Sequence, residues 1–479
     1  MLKRIISISL GIASFSFAMT SCKTPELIQK DVNSNTPNEY LTPSKDSTNV
    51  ASELLWKDYF DDPNLKDLIE TALANNQELN ITLQEIEIAK NEIRIRKGEY
   101  LPSVGITGAA GVEKVGRYTS QGANDANTDI KPGVEFPDPL QDYLLGAFAT
   151  WEVDIWKKLR NAKKSAMMRY LASVEGKNFM VTNLISEIAN SYYELLALDN
   201  QLIILRQNIA IQKNALEIVR YQKDAARVTE LAVKRFEAQV LQTQSMEFSI
   251  RQQIFEVENR INFLVGRFPQ TIARNSEQFN LLNISEIKSG LPAQLLENRP
   301  DIRQAELELE AAKIDVKVAK ADFYPSLRIT AGLGFNAFNP SYLISTPESI
   351  LYSIAGDLTA PLINRNAIKA RYLSANARQI QAIYNYEQTI LNAYVEVMNQ
   401  LNNLENLSNT YGLKAKQVDA LSESVNISNE LFNSARADYM EVLLTQRDAL
   451  ESKFELIDTK MNQLGAKVNI YRALGGGWQ

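Results

Sequence analysis

The stretch YLPSVGITG at residues 100–108 returns later in the same chain as FYPSLRITA at residues 323–331. Each copy passes through a proline into a short run in which apolar residues alternate. Because the residue before a proline is pushed out of helical geometry, Pro102 and Pro325 are predicted to end a helix and begin a strand. The alternation that follows has the period of a β-strand. The chain is therefore predicted to make the same helix-to-strand switch twice.

The similarity between the two copies extends beyond the switch. At the same offset Asn75 aligns with Asn298, and both open an apolar-periodic helix. We interpret the chain as two structural repeats, residues 51–270 and 271–479. A duplicated chain builds pseudo-symmetric walls more readily than it builds one catalytic cleft.

Both repeats carry heptads. Apolar residues recur at seven-residue spacing at Val181, Ile188, Leu195, Leu202, Ile209 and Leu216, and again at Ile383, Ile390, Val397, Leu404 and Tyr411. A sustained period of 3.5 predicts packed helices with a left-handed supercoil. We expect one long helix from about residue 159 to 223. Return helices are expected at about 229–265 and 439–474.

Four strands are predicted, at about residues 103–112, 143–154, 327–336 and 351–359. Their length matches that of transmembrane β-strands. Four strands cannot close a barrel, and lipid tolerates no open sheet edge. Three chains would supply twelve strands and close the barrel with cyclic symmetry. The predicted fold class is mainly α with a small β part, a long coiled-coil helical barrel plus four transmembrane strands per chain.

The N-terminus is predicted to be a targeting segment. Residues 1–21 place two basic residues before an apolar stretch that is too short to span a bilayer, which is typical of a signal peptide. Cys22 is the only cysteine, and its position after MTS resembles a bacterial lipobox, in which the thiol carries lipid. The alternative is an incidental cysteine in a discarded signal. Residues 22–50 are polar and are predicted to form a flexible, lipid-anchored tether.

Composition argues against several classes of function. The net charge of −6 over 479 residues disfavours a nucleic-acid partner, because binding a nucleic acid requires a positively charged surface on the protein. The chain has no histidine, the commonest general base and metal ligand. We find no catalytic constellation, and no cofactor or metal is expected. Past the N-terminus no apolar run is long enough for a transmembrane helix.

Four segments carry a family resemblance. They are the WKDYFDDPNL stretch at 56–65, NRPDI at 298–302, YMEVL at 439–443 and the highly specific YRALGGGW at 471–478. With them the chain resembles the TolC-like outer-membrane efflux proteins, in the lipoprotein branch that serves tripartite pumps. The matching segments span nearly the whole mature chain.

The resemblance implies a homotrimer in the bacterial outer membrane, with a twelve-stranded barrel in lipid and a twelve-helix tunnel through the periplasm. It implies two protein partners, a periplasmic adaptor (a membrane fusion protein) and an inner-membrane pump of the resistance-nodulation-division type. The implied function is a passive duct that exports drugs or other small molecules. A type I secretion duct is one alternative, and a lipid-anchored structural coiled coil or adhesin without a pore is another. The lipobox and the GGGW ending favour efflux.

In this family the periplasmic tips of two helix hairpins coil inward and close the tunnel with acidic rings and interchain ion pairs. Glu441 falls on the position of the first gate aspartate, whereas the second falls on Leu444. A glutamate ring beside a leucine ring would favour cations and dewet the constriction. The other candidate gate residues are Tyr221, Asp224, Arg227, Phe432, Arg436 and Asp438. For each of these charges an ordinary solvated turn is the alternative interpretation.

Overall fold

The computed structural model describes residues 24–40, 55–282, 290–361, 363, 365–434 and 436–478. The predicted signal peptide and Cys22 lie outside the described residues. The helices and strands follow one another in the order α1 (Trp56–Tyr59), α2 (Pro63–Asn75), α3 (Gln77–Tyr100), β1 (Ser103–Glu113), α4 (Ser120–Asp125), β2 (Asp129–Lys131), β3 (Val134–Glu135), β4 (Leu140–Val153), α5 (Lys158–Asp224), α6 (Glu230–Leu264), α7 (Leu295–Asn298), α8 (Pro300–Ala321), β5 (Ser326–Ala337), β6 (Ile350–Thr359), α9 (Asn366–Asn433) and α10 (Tyr439–Ala473). The expected mainly helical fold with a small β part is confirmed.

Three long helices, α5, α6 and α10, begin and end close to the residues that the sequence indicates. On α5 the heptad residues Ile188 and Leu195 are fully buried, as a seam between packed helices requires. On α9 the heptad residues Ile383 and Val397 are buried in the same way. Among the described residues, no helix combines the length and the apolar composition that crossing a membrane requires.

The chain divides into two compact units. The first holds Glu87–Leu171, Leu307–Tyr384 and the N-terminal residues up to Asp31. The second holds Val32–Ile86, Ala172–Glu306 and Asn385–Gln479.

In the first unit four antiparallel strands form a sheet in the order β1-β4-β5-β6. One row across the sheet runs from Ile106 to Ala147, Leu333 and Tyr352. Directly opposed residues project from the same face of a sheet. The side chains of Ile106, Leu333 and Tyr352 are exposed by 82%, 63% and 82%. The sheet therefore presents an exposed apolar face.

The connection between β1 and β4 is longer than that between β5 and β6, as expected, but it is not merely a polar loop. It holds α4 and the β2–β3 hairpin, which the sequence pattern does not predict. Asp138 pairs with Arg117 at 3.3 Å and with Lys114 at 3.6 Å. The ammonium of Lys131 lies 4.7 Å from the ring centre of Tyr342, which belongs to the β5–β6 connection. The two connections therefore contact each other.

In the described part of the N-terminal segment, residues 24–40, most side chains are exposed, but two apolar ones contact the rest of the chain. In the first unit Leu27 packs against a cluster that contains the buried ring of Phe323. In the second unit Tyr40 is only 5% exposed, and its ring stacks on Tyr394 at 5.7 Å. A few apolar anchors are enough to hold a segment whose composition is otherwise polar.

The second unit contains the main core, a cluster of buried side chains from α1, α2, α5, α6 and α10. Its largest members include Trp56, Phe60, Leu65, Ile69, Ile188, Tyr192, Leu195, Leu205, Ile209, Ile250, Ile261, Leu450, Ile457 and Tyr471. Tyr471 stacks on Tyr59 with ring centres 4.0 Å apart. Asp62 caps α2 through the amide of Asn64 and accepts a hydrogen bond from the hydroxyl of Tyr192, both at 2.8 Å. The WKDYFDDPNL and YRALGGGW segments therefore meet in one core.

A similar joint occurs twice in this unit. Gly266 follows α6 with φ of 75°, and Gly475 follows α10 with φ of 89°, the left-handed conformation that often ends a helix. The carbonyl of Asn75 lies against Gly266, and that of Asn298 lies against Gly475. The two aligned asparagines thus occupy corresponding places.

Arg299 of the NRPDI segment fixes the second joint. Its guanidinium donates to the carbonyl of Ala473 at 2.7 Å and pairs with Asp301 at 2.8 Å and with Glu396 at 2.9 Å. The side chain is only 7% exposed. A buried charge is tolerated when it is paired and hydrogen-bonded in this way.

Candidate functional site

Two short turns carry the candidate gate residues, and both belong to the second unit. The 225–229 turn joins α5 to α6, and the 434–438 turn joins α9 to α10. The amide of Arg227 donates to the carbonyl of Gln222, and the amide of Arg436 donates to that of Leu431, both at 2.8 Å. A hydrogen bond across this spacing is the mark of a Schellman helix end. Both turns therefore stop their helices in the same way.

The 225–229 turn holds a strained residue. Ala226 has φ of 56°, in the left-handed region that glycine usually occupies at this position. For a residue with a Cβ atom this conformation costs about 1–2 kcal/mol. The surrounding helix end holds the strain in place, since the amide of Ala226 donates to the carbonyl of Lys223 at 2.8 Å.

The two hairpins share a small apolar cluster, which we call the tip cluster. It consists of Leu216, Val219, Ala232, Val233, Phe236, Val240, Val442 and Leu443. The half-buried Phe432, which the sequence places among the candidate gate residues, packs against it together with Tyr439. The structure thus brings the two turns together.

The charges beside the 225–229 turn pair locally. Lys223 lies 3.3 Å from Glu230 and 3.9 Å from Asp224. One helical turn further, Lys234 donates to Glu237 at 3.0 Å, and this hydrogen bond holds the pKa of the Glu237 carboxyl below its usual range.

The remaining candidate residues of the first hairpin face solvent. Arg227 is exposed, and Tyr221 is exposed by 72%. Neither belongs to the tip cluster.

The charges of the second hairpin also face solvent. Arg436, Asp438 and Glu441 are exposed, and none of them forms an ion pair with another described residue of the chain. A single chain therefore offers both signs of charge at this turn for contacts with another molecule.

Glu441 and Leu444 lie on one exposed face of α10. Residues three apart on a helix are neighbours, and Leu444 is 42% exposed. The intervening Val442 and Leu443 point into the tip cluster instead. The two positions that the family resemblance implies for a gate therefore face the same way.

A buried polar layer separates the tip cluster from the main core. Gln212, Thr243 and Gln446 are exposed by 1%, 0% and 1%. Along their helices, Gln212 lies between Ile209 and Leu216, and Gln446 lies between Leu443 and Leu450. Each of these neighbours belongs to one cluster or the other, so the layer divides the apolar interior into two parts.

Both glutamine amides of this layer lack partners. Neither the nitrogen nor the oxygen of Gln212 or Gln446 forms a hydrogen bond within the described chain. A buried polar group without a partner costs about 1–3 kcal/mol. Our sequence reasoning missed this layer. The signal was a glutamine in an inward-facing heptad position between Ile209 and Leu216.

A family comparison covers most of the chain. The model of the family described as "Outer membrane efflux protein" matches residues 68–267 and 291–476. These two stretches separate close to the boundary predicted between the repeats.

Similar proteins come from several bacteria. The chain is 28% identical over 424 residues to the pyoverdine export outer membrane protein OpmQ of Pseudomonas aeruginosa, covering 88% of this chain and 87% of OpmQ. It is 25% identical over 439 residues to the probable outer membrane lipoprotein SilC of Salmonella typhimurium, covering 91% and 90%. Among solved structures it resembles the outer-membrane channel OprN, with a TM-score of 0.83, 25% identity and coverage of 94% of this chain and 99% of OprN.

These matches confirm the outer-membrane efflux duct expected from the sequence, and they favour it over the secretion and adhesin alternatives. The chain belongs to the outer membrane efflux protein family.

Proposed function

We propose that three copies of this chain assemble into one continuous export duct, with a twelve-stranded barrel in the outer membrane. The observation that carries this proposal is the pair of sheet edges. Within the described chain β1 and β6 each pair on one side only. Unpaired edge amides and carbonyls are not tolerated in lipid, so β1 of one copy pairs with β6 of the next. Cyclic repetition of that contact closes the barrel.

The two faces of the sheet support this arrangement. The face that carries Ile106, Leu333 and Tyr352 suits lipid. The opposite face carries mostly small or polar residues, as at Thr107, Gly146 and Gly334, with Leu144, Phe148 and Leu351 as its large apolar members. Lipid-facing and lumen-facing residues alternate in this way in transmembrane barrels.

Aromatic side chains support a membrane boundary where strands meet helices. The ring of Trp156 stacks on Tyr324 at 4.7 Å, and its indole N–H donates to the carbonyl of Pro325 at 2.7 Å. The indole of Trp151 donates to the carbonyl of Tyr100 at 3.1 Å. Tryptophan and tyrosine concentrate at the interfaces of a bilayer, where an apolar ring meets water.

For the N-terminus and the division into repeats, the proposal keeps the segments predicted from the sequence. Residues 1–21 are removed as a signal peptide, Cys22 carries lipid in the outer membrane, and residues 22–50 tether that lipid to the body. Residues 51–270 and 271–479 are two structural repeats. The lipoprotein name of SilC and the corresponding joints of Asn75 and Asn298 support these assignments.

The gate lies at the two hairpin turns. In the trimer Arg436 and Asp438 meet the neighbouring copy near Asp224, Arg227 and Tyr221. Glu441 and Leu444 face the lumen as adjacent rings, while Phe432 anchors the turn on the tip cluster. Exposed ion pairs contribute about 1 kcal/mol or less each, so the closed state is reversible.

A periplasmic adaptor docks on these turns, and its binding energy offsets the loss of the interchain contacts that keep the gate closed. The helices around Arg436 then uncoil and open the tunnel. An inner-membrane pump of the resistance-nodulation-division type supplies the exported drugs or other small molecules. The pump selects the exported molecules, and the duct provides a passive path for them across the periplasm and the outer membrane.

Sedimentation of the detergent-solubilised protein, together with single-channel recording, tests the proposal. A trimer that conducts is expected. A stable monomer or dimer, or a trimer that conducts no ions after reconstitution, would rule it out.

A further inference from the structure

Three charged side chains stand in register across the sheet near its helix-proximal end. Glu152 on β4 lies opposite Arg328 on β5, and Arg328 lies opposite Asp357 on β6. Directly opposed residues share a face, so the three form one charged row. The next row on one side along this face contains Thr150, Thr330 and Ala355, and on the other side the strands end soon after this point.

This row lies on the face opposite the apolar one. The neighbouring positions Trp151, Ile329 and Val153 belong to the other face, since successive side chains alternate. On the face of the charged row, the next residues along the strands are Thr150 and Thr330. The row therefore points into the lumen wherever the apolar face meets lipid.

Several glycines lie further along that face. A Cβ atom at Gly332 would lie 2.9 Å from the ring of Phe148, so that ring packs against this glycine. The opposed Gly146 and Gly334 add no side chains. The side chains of the charged row are longer than those of Thr150, Thr330, Gly146 and Gly334 in the rows beyond it.

A purely structural role would need the three charges to bind each other. Arg328 and Asp357 are exposed and Glu152 is half-buried. No ion pair within the described chain includes any of the three. Their charges are available to passing molecules instead.

We propose that this row forms a charge filter in the barrel, which favours the passage of cationic small molecules over anionic ones. The inference rests on the proposed trimer. Two carboxylates and one guanidinium give each row a net charge of −1. Three symmetric rows form a ring with an excess of negative charge, and charged rings select ions by sign.

Arg328 has a distinct part in the filter. It stands between Glu152 and Asp357 and separates their carboxylates along the row. A pore must bind a permeant ion weakly enough to release it. By lowering the density of negative charge, Arg328 keeps multivalent cations from lodging in the ring.

Reversal potentials in planar bilayers under a KCl gradient test the filter. The double variant Glu152→Gln/Asp357→Asn should lower the ratio of cation to anion permeability at least about twofold. Arg328→Gln should raise that ratio and strengthen block by millimolar calcium. Glu135→Gln, which removes one exposed negative charge from the β1–β4 connection, serves as the control and should leave the ratio unchanged.

A chemical version of the test avoids variants that fail to assemble. Cys22 is the only native cysteine, so Asp357→Cys provides one new thiol that can be modified after the channel has inserted. A negatively charged thiosulfonate should restore the parental reversal potential, and a positively charged one should shift it further toward anions.

The outcomes separate this inference from the proposed duct. If the channel conducts normally but its reversal potential changes with neither the double variant nor the thiol reagents, the charge filter is refuted. The proposed duct is not affected by that result. A parental protein that forms no conducting trimer overturns the duct itself.

Discussion

A Cβ atom at Gly475 would lie 2.4 Å from the carbonyl oxygen of Asn298, closer than atoms of the two residues can approach. Gly475 also has a left-handed φ of 89°. Gly475→Ala should therefore destabilise the protein by at least the 1–2 kcal/mol of the backbone conformation, with the clash added. Thermal unfolding in detergent would measure the loss as a lower Tm.

Gly412→Ala is the matched control for that change. Gly412 lies inside α9, and a Cβ atom there would meet nothing within 4 Å. Alanine in a helix interior is about 1 kcal/mol more favourable than glycine. This variant should raise the Tm, and an equal loss in both variants would contradict the role given to the joint at Asn298.

The polar layer predicts that Gln446→Leu stabilises the closed hairpins. The substitution removes a buried amide that has no partner and joins the tip cluster to the main core, which should contribute on the order of 1–3 kcal/mol. Hydrogen exchange of the amides in the 434–438 turn should slow, and channel openings should become rarer.

Gln463→Leu distinguishes this effect from a general gain in hydrophobicity. Gln463 is 5% exposed, but its amide donates to the carbonyl of Leu407 at 3.2 Å. Its replacement leaves that carbonyl without its donor and should not stabilise the hairpins. If both leucine variants slow exchange alike, the unpartnered amides are not what weakens the layer.

Local signals account for the parts of the fold that the sequence could predict. Pro102 and Pro325 mark the helix-to-strand switches because their effect on the preceding residue depends on no distant contact. The heptads of α5 and α9 similarly need only a regular period. The bounds of β1 and β6 follow from the same kind of local alternation.

Features that depend on distant packing escaped prediction. Residues 24–40 look flexible by composition, yet Leu27 and Tyr40 find apolar sites far along the chain. The sequence placed the candidate gate residues at the ends of two helix hairpins, but the tip cluster beneath them became apparent only from the contact between hairpins. The unpartnered state of Gln446 likewise follows from burial, which a single sequence does not reveal.

The gate should open when its polar contacts are removed. The triple change Arg227→Ala, Arg436→Ala and Asp438→Ala is expected to raise single-channel conductance severalfold, because exposed ion pairs of about 1 kcal/mol or less are repeated by threefold symmetry. Lys234→Ala is the control, since Lys234 pairs with Glu237 inside one helix. Conductance that rises equally in the control would place the constriction elsewhere, with Leu444 the next candidate.

Glu441→Gln should weaken cation selectivity and block by multivalent cations without widening the pore. Glu441 is exposed in the first turn of α10, where its carboxylate would form one acidic ring in the trimer. The conductance at high salt should remain parental, because the substitution changes charge and hardly changes volume. Selectivity that stays parental would remove Glu441 from the gate.

Because adjacent residues of β6 project from opposite faces of the sheet, lysine should have different effects on assembly at two neighbouring positions. Ile354 is 80% exposed on the apolar face, and Ala355 projects from the other face, in register with Thr330. Lysine on the lipid face of a barrel costs about 2–4 kcal/mol near the midplane, whereas a lumen-facing lysine is solvated. Ile354→Lys should therefore reduce the trimer recovered from outer membranes, and Ala355→Lys should assemble normally while lowering cation selectivity. Heat-dependent gel mobility of the trimer and reversal potentials measure the two effects. If Ala355→Lys fails to assemble and Ile354→Lys assembles normally, the face of Ile354 faces the lumen. That result would refute the assignment of the apolar face to lipid.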